Sequence, residues 1–384
     1  MHHFLITRFI HRTLNSSVIS QHAFSLFFNY RYFSVESVPN TNNHKGDTFT
    51  LSTLVNSCGL SPETALKLSK RLQIKNPNSP NDVTQLLKTY GFSDSQLCSY
   101  VKKHPLVLLS DPKKTLLPKL KFFHSIGVST TDLPKILIGN TSFLSKSLEK
   151  TLIPRYEIIR SLVRNDEEVV STLKHGSWNL HCVWVVNDAV QNIEVLKQLG
   201  VPQGSISLLV SNFPSVAFAK HSKFVEAVNS VKEMGFDPLK SKFVLAVQVI
   251  AKMDKETWES RFKIFEKFGC SRDICLSAFQ KEPQYMMISE KKLMKTLNFL
   301  VKDVGFKPED IMRRPGILNR NLEKTIIPRW AVLQILKSKG LIKSGFFIGS
   351  AIAISEKTFL DKYVTRFQKD APLLLDAYKG HKLD

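Results

Sequence analysis

The chain has 384 residues, 54 Lys and Arg against 33 Asp and Glu, and a formal net charge of +21. Hydrophobic residues at 43% and charged residues at 23% exclude a wholly disordered chain. The longest apolar run, 346–354, is far short of the ~20 residues of a membrane helix, and five scattered cysteines exclude a disulfide scaffold. The excess charge speaks of partners: it suits a polyanion or an anionic surface.

The first 35 residues contain no acid but carry Arg8, Arg12 and Arg31 among serines, histidines and asparagines. That composition predicts an organelle transit peptide over 1–33. Arg31-Tyr32-Phe33-Ser34 has the form of a mitochondrial processing site cut after Phe33, so the expected address is the mitochondrial matrix, with the chloroplast as the alternative. Residues 34–50 read as a polar linker.

A period of about 35 residues organises the rest. An apolar-Gly-apolar triplet recurs around Gly91, Gly127, Gly200, Gly235, Gly269 and Gly305, and Gly340 continues the spacing. The one double gap places a missing glycine near Asn165, the residue type that best replaces Gly at positive φ. Fourteen residues after the glycine stand Pro105, Pro214 and Pro283, each of which stops a helix. A third marker opens the next helix: Lys114-Thr115-Leu116-Leu117-Pro118-Lys119, Lys150-Thr151-Leu152-Ile153-Pro154-Arg155 and Lys324-Thr325-Ile326-Ile327-Pro328-Arg329. Proline is expected in the first turn of that helix. One unit therefore reads as helix, proline-broken turn, helix, glycine turn. A single unit cannot bury its apolar face, so units must stack. The prediction is an all-α, right-handed-style α-solenoid of about eight or nine units: a degenerate one over 51–90, regular ones over 91–339, a C-terminal capping unit over 340–378 and a tail over 379–384.

These markers resemble the repeat of the mitochondrial transcription termination factor (mTERF) family, over about residues 51–375. The resemblance implies a curved half-ring whose basic concave face holds double-stranded nucleic acid, and a role in organelle gene expression as a transcription terminator or regulator. The chain departs from the pattern at Thr141 and Val249, which stand where proline is expected, at Pro315, four residues early, and over 164–199, which lacks both marker prolines.

Cations concentrate in two blocks. Residues 100–125 hold Lys102, Lys103, Lys113, Lys114, Lys119 and Lys121 against Asp111; residues 305–345 hold nine cations, among them Arg313, Arg314 and Arg320, against three acids. Lys119, Arg155 and Arg329 share one repeat position, directly after the helix-opening proline, and Lys114, Lys150 and Lys324 share another. A ladder of cations at one repeat position can follow a phosphate backbone, with affinity that falls steeply with salt.

No phosphate loop, dinucleotide fingerprint or zinc spacing is present in the sequence, so no catalytic group, cofactor or metal is predicted. Cys270 and Cys275 read as small buried side chains, and Trp258 and Trp330 as core. The expected partner is double-stranded organellar DNA or structured RNA, bound by a monomer with no membrane, and with organellar RNA polymerase or splicing factors as further partners. Two other functions fit the same sequence: an RNA factor for intron splicing or ribosomal RNA maturation, and a protein-binding helical scaffold.

Overall fold

Helix after helix of four to sixteen residues follows the predicted period in the computed structural model, which describes residues 48–74, 78–176, 183–342 and 348–379. These belong to one compact unit over residues 46–384, and the described residues contain no strand. The transit-peptide reading, and all but the end of the linker, lie outside them. Helices Thr48–Asn56, Pro62–Ser69 and Asn78–Thr89 come first. Units follow in pairs: Asp94–Lys103 with Leu117–Ser125, Leu133–Gly139 with Ile153–Leu162, Asp166–His175 with Val183–Gln198, and Gln203–Asn212 with His221–Glu233. Next come Ser241–Lys252 with Lys255–Glu266, Arg272–Lys281 with Glu290–Asn298, and Pro308–Arg313 with Ile327–Ser338. Helices Ile348–Ala353, Glu356–Phe359 and Leu374–Lys379 close the chain.

Seven of the unit boundaries carry a glycine that the chain requires. Gly91, Gly127, Gly200, Gly235, Gly269, Gly305 and Gly340 all have φ between 68° and 96°, where a Cβ is strained. Gly200 shows the reason. Its N–H bonds to Lys197 O (2.9 Å) and the Val201 N–H to Leu196 O (3.0 Å), the paired Schellman bonds that satisfy the last carbonyls of a helix. Gly59, with φ 65°, makes an eighth such turn that the triplet spacing did not include. Asn165 does not make a ninth. Its φ is −153°, and its side chain accepts from the Glu168 N–H as the N-cap of Asp166–His175. Asparagine serves N-caps as readily as left-handed turns, and here the cap prevails.

In three proline-marked units a short 3₁₀ turn separates the two helices, Pro105–Leu109, Pro283–Met287 and Pro315–Asn319; in the Pro214 unit a single α-helical turn, Pro214–Ala217, does so. Thr141 does not abolish the 3₁₀ turn, since Phe143–Ser145 forms the same one. Val249 does: Ser241–Lys252 runs unbroken through that position.

The helix-opening prolines stand in the first turn of their α-helices, as expected, but the chain is already helical before them. A π-helical turn (Pro112–Leu116, Leu148–Leu152 or Leu322–Ile326) precedes the α-helix without a gap. Pro118, Pro154 and Pro328 thus lie inside a continuous helical run. Widening the turn to i→i−5 bonds, such as Leu117 N–H to Pro112 O, is a recognised way for a helix to take up such an interruption, and it keeps the ring from the carbonyl it would otherwise meet.

The core is continuous from unit to unit. Leu97, Val101, Leu120 and Phe123 are buried in one unit, as are Phe243, Val247, Phe262 and Phe265 in another. Trp258 packs edge-on against Phe279, with ring centroids 5.2 Å apart, and Phe299 against Trp330 at 5.7 Å. Cys270 and Cys275 are buried.

Candidate nucleic-acid interface

The residue directly after the helix-opening proline is a cation in three units, yet the structure places two of these inside. Lys119 is 6% exposed and its Nζ donates to Leu144 O at 2.5 Å. Burial lowers its pKa, which the charge of Glu149 partly restores. Arg329 is 2% exposed; its Nη1 donates to Ile352 O (2.9 Å) and Ile354 O (2.6 Å), and its guanidinium lies 4.9 Å over the Phe359 ring. Arg155, at the same position, is half-buried beside a small apolar cavity lined by Phe122, Phe143 and Tyr156.

The acceptors explain the burial. In each case they are carbonyls of the following unit's interrupted segment, where a 3₁₀ turn or helix end leaves acceptors unfilled. Asn192 makes the same contact through Nδ2, to Ala217 O (3.0 Å) and Ala219 O (2.8 Å), and Arg261 does so through Nε to Met286 O (3.3 Å). Lys119, Asn192 and Arg261 each lie 25 residues before their acceptor. This position is an inter-unit donor, which takes Lys119 and Arg329 out of a phosphate-binding surface. A second set of contacts covers the ends of the first helices: Lys103 Nζ donates to Ile138 O (3.2 Å), Asn140 Nδ2 to Gly176 O (3.2 Å), and His175 Nδ1 meets Ser211 O at 3.0 Å. Carbonyl ends that would repel an anion are thereby occupied.

The other repeat position behaves differently. Lys114, Lys150 and Lys324 are exposed, and each stands at the third position of its helical run. Their backbone N–H groups are held by the N-caps Asp111 (2.8 Å), Ser147 (3.1 Å) and Asn321 (2.7 Å). Lys223 stands at the same position in His221–Glu233, after N-cap Lys220, and is exposed too. The sequence pattern does not reveal it because that helix opens without the Lys-Thr-x-x-Pro motif; only the helix boundary shows the register. Of the remaining candidates, Arg313 is ion-paired with Asp310 at 3.1 Å, Arg320 donates to Ala353 O at 2.7 Å, and Arg314 is exposed.

Charge is unevenly divided among the turns. In three units the segment joining first to second helix is cationic: Lys102, Lys103, Lys113 and Lys114 against Asp111; Lys220 and Lys223 with no acid from 203 to 225; Arg313, Arg314, Arg320 and Lys324 against Glu323; in the Gly235 and Gly269 units it is near neutral. Two glycine turns are balanced, with Lys232 and Lys240 against Glu233 and Asp237, and Lys302 and Lys307 against Asp303 and Glu309, whereas that at Gly340 carries Lys337, Lys339 and Lys343 without an acid. A lysine at a helix N-terminus faces the positive end of the macrodipole and is worth less there than an acid by roughly 0.3–1 kcal/mol. Repeating it is a poor arrangement for stability and a good one for anions, because the dipole and the ammonium act together. Among the described residues, no group of three or more His, Cys, Asp or Glu could hold a metal ion.

Comparisons with known proteins agree with this architecture. The mTERF family model matches residues 84–253 and 245–360. The mitochondrial transcription termination factor MTERF15 of Arabidopsis thaliana is 22% identical over 305 residues, which cover 79% of this chain and 59% of that protein. The chloroplastic transcription termination factor MTERF8 of the same plant is 20% identical over 241 residues, 62% of this chain and 48% of its own length. The chain thus spans about half to three-fifths of the length of these relatives. With the family model covering well over half of its residues, the chain belongs to the mTERF family.

Proposed function

We propose that this protein is an organellar regulator of transcription, including termination, that binds double-stranded nucleic acid along its cationic inter-helix segments. The observation that carries the reading is the exposed lysine at the third position of four of the second helical runs: Lys114, Lys150, Lys223 and Lys324; Thr257 stands there in Lys255–Glu266, and Lys292 in Glu290–Asn298 is turned to Asn319 O. Each of the four stands where it works against helix stability and with phosphate binding. The relatives' names, transcription termination factors of mitochondria and chloroplasts, support the same role, and the acid-free start of the chain supports the mitochondrial matrix. Phosphate contacts of this type fix position and affinity without reading sequence.

The test is binding of a 30-base-pair DNA duplex by the full chain across a salt series. Replacing Lys114, Lys150, Lys223 and Lys324 by Gln is expected to lower the log–log salt slope by about 0.9 for each phosphate no longer neutralised. An unchanged slope would remove this row from the interface. Absence of duplex affinity at low salt would favour a protein-binding scaffold, and preferential competition by structured RNA would move the role towards splicing or ribosomal RNA maturation.

A further inference from the structure

The inter-helix segment of the Gly91 unit is, together with that of the Gly305 unit, the most cationic of those described, and it also exposes two leucines. Leu106 is 57% and Leu109 48% exposed on the 3₁₀ turn Pro105–Leu109. Their neighbours Val107 and Leu108 are buried beneath, so the turn is anchored and the two side chains stand on a fixed base. Lys102 and Lys103 precede the turn, Lys113 and Lys114 follow it, and all four are exposed. Four residues beyond the unit proline, the place of Leu109, the Gly269 unit carries Met287, also 41% exposed. The other described units have Ser145, Phe218 and Asn319 there, and Phe218 is buried.

We propose that Leu106 and Leu109 form an apolar wedge that enters the base stack of the bound duplex, between phosphates held by the flanking lysines. The inference rests on the duplex-binding reading above and adds a deformation step to it. An apolar side chain set among cations on a rigid turn gains nothing from water and nothing from phosphate. Against a nucleic acid its available partners are the sugar edges and base faces. Insertion of Leu or Met between base steps, with cations neutralising the phosphates alongside, partly unstacks and kinks a duplex. Unstacking is easiest where a base is already unpaired, so a wedge shows itself as a preference for a weakened duplex. The 3₁₀ turn suits the task because its backbone is short and pinned: the Ser110 N–H bonds to Val107 O at 3.0 Å and the Val107 N–H to His104 O at 3.3 Å.

The experiment uses the full chain and two 30-base-pair DNA duplexes, one fully paired and one with a single unpaired adenine, each carrying 2-aminopurine next to that position. Wild-type protein is expected to bind the interrupted duplex more tightly and to raise 2-aminopurine fluorescence. Replacing Leu106 and Leu109 together by Ser should reduce that preference by on the order of tenfold and abolish the fluorescence rise, with the salt slope unchanged. Thermal unfolding of the double variant should match wild type, since both side chains are solvent-facing. If the wild type binds both duplexes equally, or the double variant keeps the preference and the signal, the wedge is refuted while duplex binding stands. If the wild type binds neither duplex, the functional reading itself has failed. If the double variant binds DNA as wild type does but loses binding to phosphatidylglycerol vesicles, the patch belongs to a lipid surface and the wedge is again refuted.

Discussion

Replacing Arg329 by Ala separates a buried inter-unit donor from a groove cation. The side chain is 2% exposed, gives two hydrogen bonds to Ile352 O and Ile354 O, and covers the Phe359 ring. A hydrogen bond from a charged donor is worth roughly 1.5–3 kcal/mol and a desolvated cation–π contact up to about 2 kcal/mol. These terms overlap, so a loss of about 3–5 kcal/mol is expected. In a stacked array the damage stays local, because each unit contacts only its neighbours. Amide hydrogen exchange in Ile348–Ala353 and Leu374–Lys379 should therefore accelerate by about two to three orders of magnitude. Exchange in Asp94–Lys103 and Leu117–Ser125 should stay as it was. The duplex salt slope should not change, since a buried cation releases no counterions. Unaltered exchange at the C-terminal end together with a shallower slope would show that Arg329 faces phosphate, and the inter-unit assignment would fall.

Three further outcomes follow from the same structure. Gly91→Ala should be far more destabilising than Gly127→Ala in urea unfolding: both have positive φ, costing about 1–2 kcal/mol, but at Gly91 an added Cβ would lie 2.1 Å from Thr130 O, whereas at Gly127 nothing lies within 4 Å. Asp132 accepts from Lys174 Nζ at 3.0 Å across two units, and this bond is the main reason its pKa lies below the ordinary value. Its contribution is therefore present above the unfolded pKa, near 3.9, and is lost as pH falls through the folded one; Asp132→Asn should flatten the acid limb of stability measured between about pH 5 and pH 2. Asn192→Leu, which keeps the volume but leaves Ala217 O and Ala219 O without their donor, should lower stability by about 1–3 kcal/mol, while Asn192→Arg, which copies the donor type of Arg261, should retain most of it.

What the sequence discloses here is whatever a single residue type must do locally. Only glycine accepts the left-handed turn cheaply, and proline cannot continue a helix, so their spacing alone yields the period, the unit and the two-helix plan. Asn165 misleads for the same reason in reverse, since one side chain satisfies two local demands and the sequence does not say which. Lys119 and Arg329 mislead because their partners are long-range. A cation after a helix-opening proline looks like surface until the carbonyl more than twenty residues on is seen to meet it. Lys223 is hidden by the converse: its position is defined by a helix boundary, and no motif marks that boundary.

The donor position also explains a departure that the repeat pattern left without a reason. Lys119, Asn192 and Arg261 each precede the next unit's glycine by eight residues. The residue at that position before Gly235 is Ala227, which is buried at 3% exposure. The unit it faces has Val249 in place of proline, and its first helix, Ser241–Lys252, is unbroken. An unbroken helix spends its interior carbonyls on its own N–H groups, so the mid-unit turn acceptors of the other units are not offered. A Lys or Asn at 227 would then be a buried donor without a partner, costing about 1–3 kcal/mol or more. At this junction loss of the proline and loss of the donor go together, whereas Leu297, eight residues before Gly305, is apolar although the unit after it is interrupted. Lys119 and Arg329, the buried cations after helix-opening prolines, serve the stacking of units, and under the proposed function the phosphate contacts fall to the lysines of the neighbouring turn.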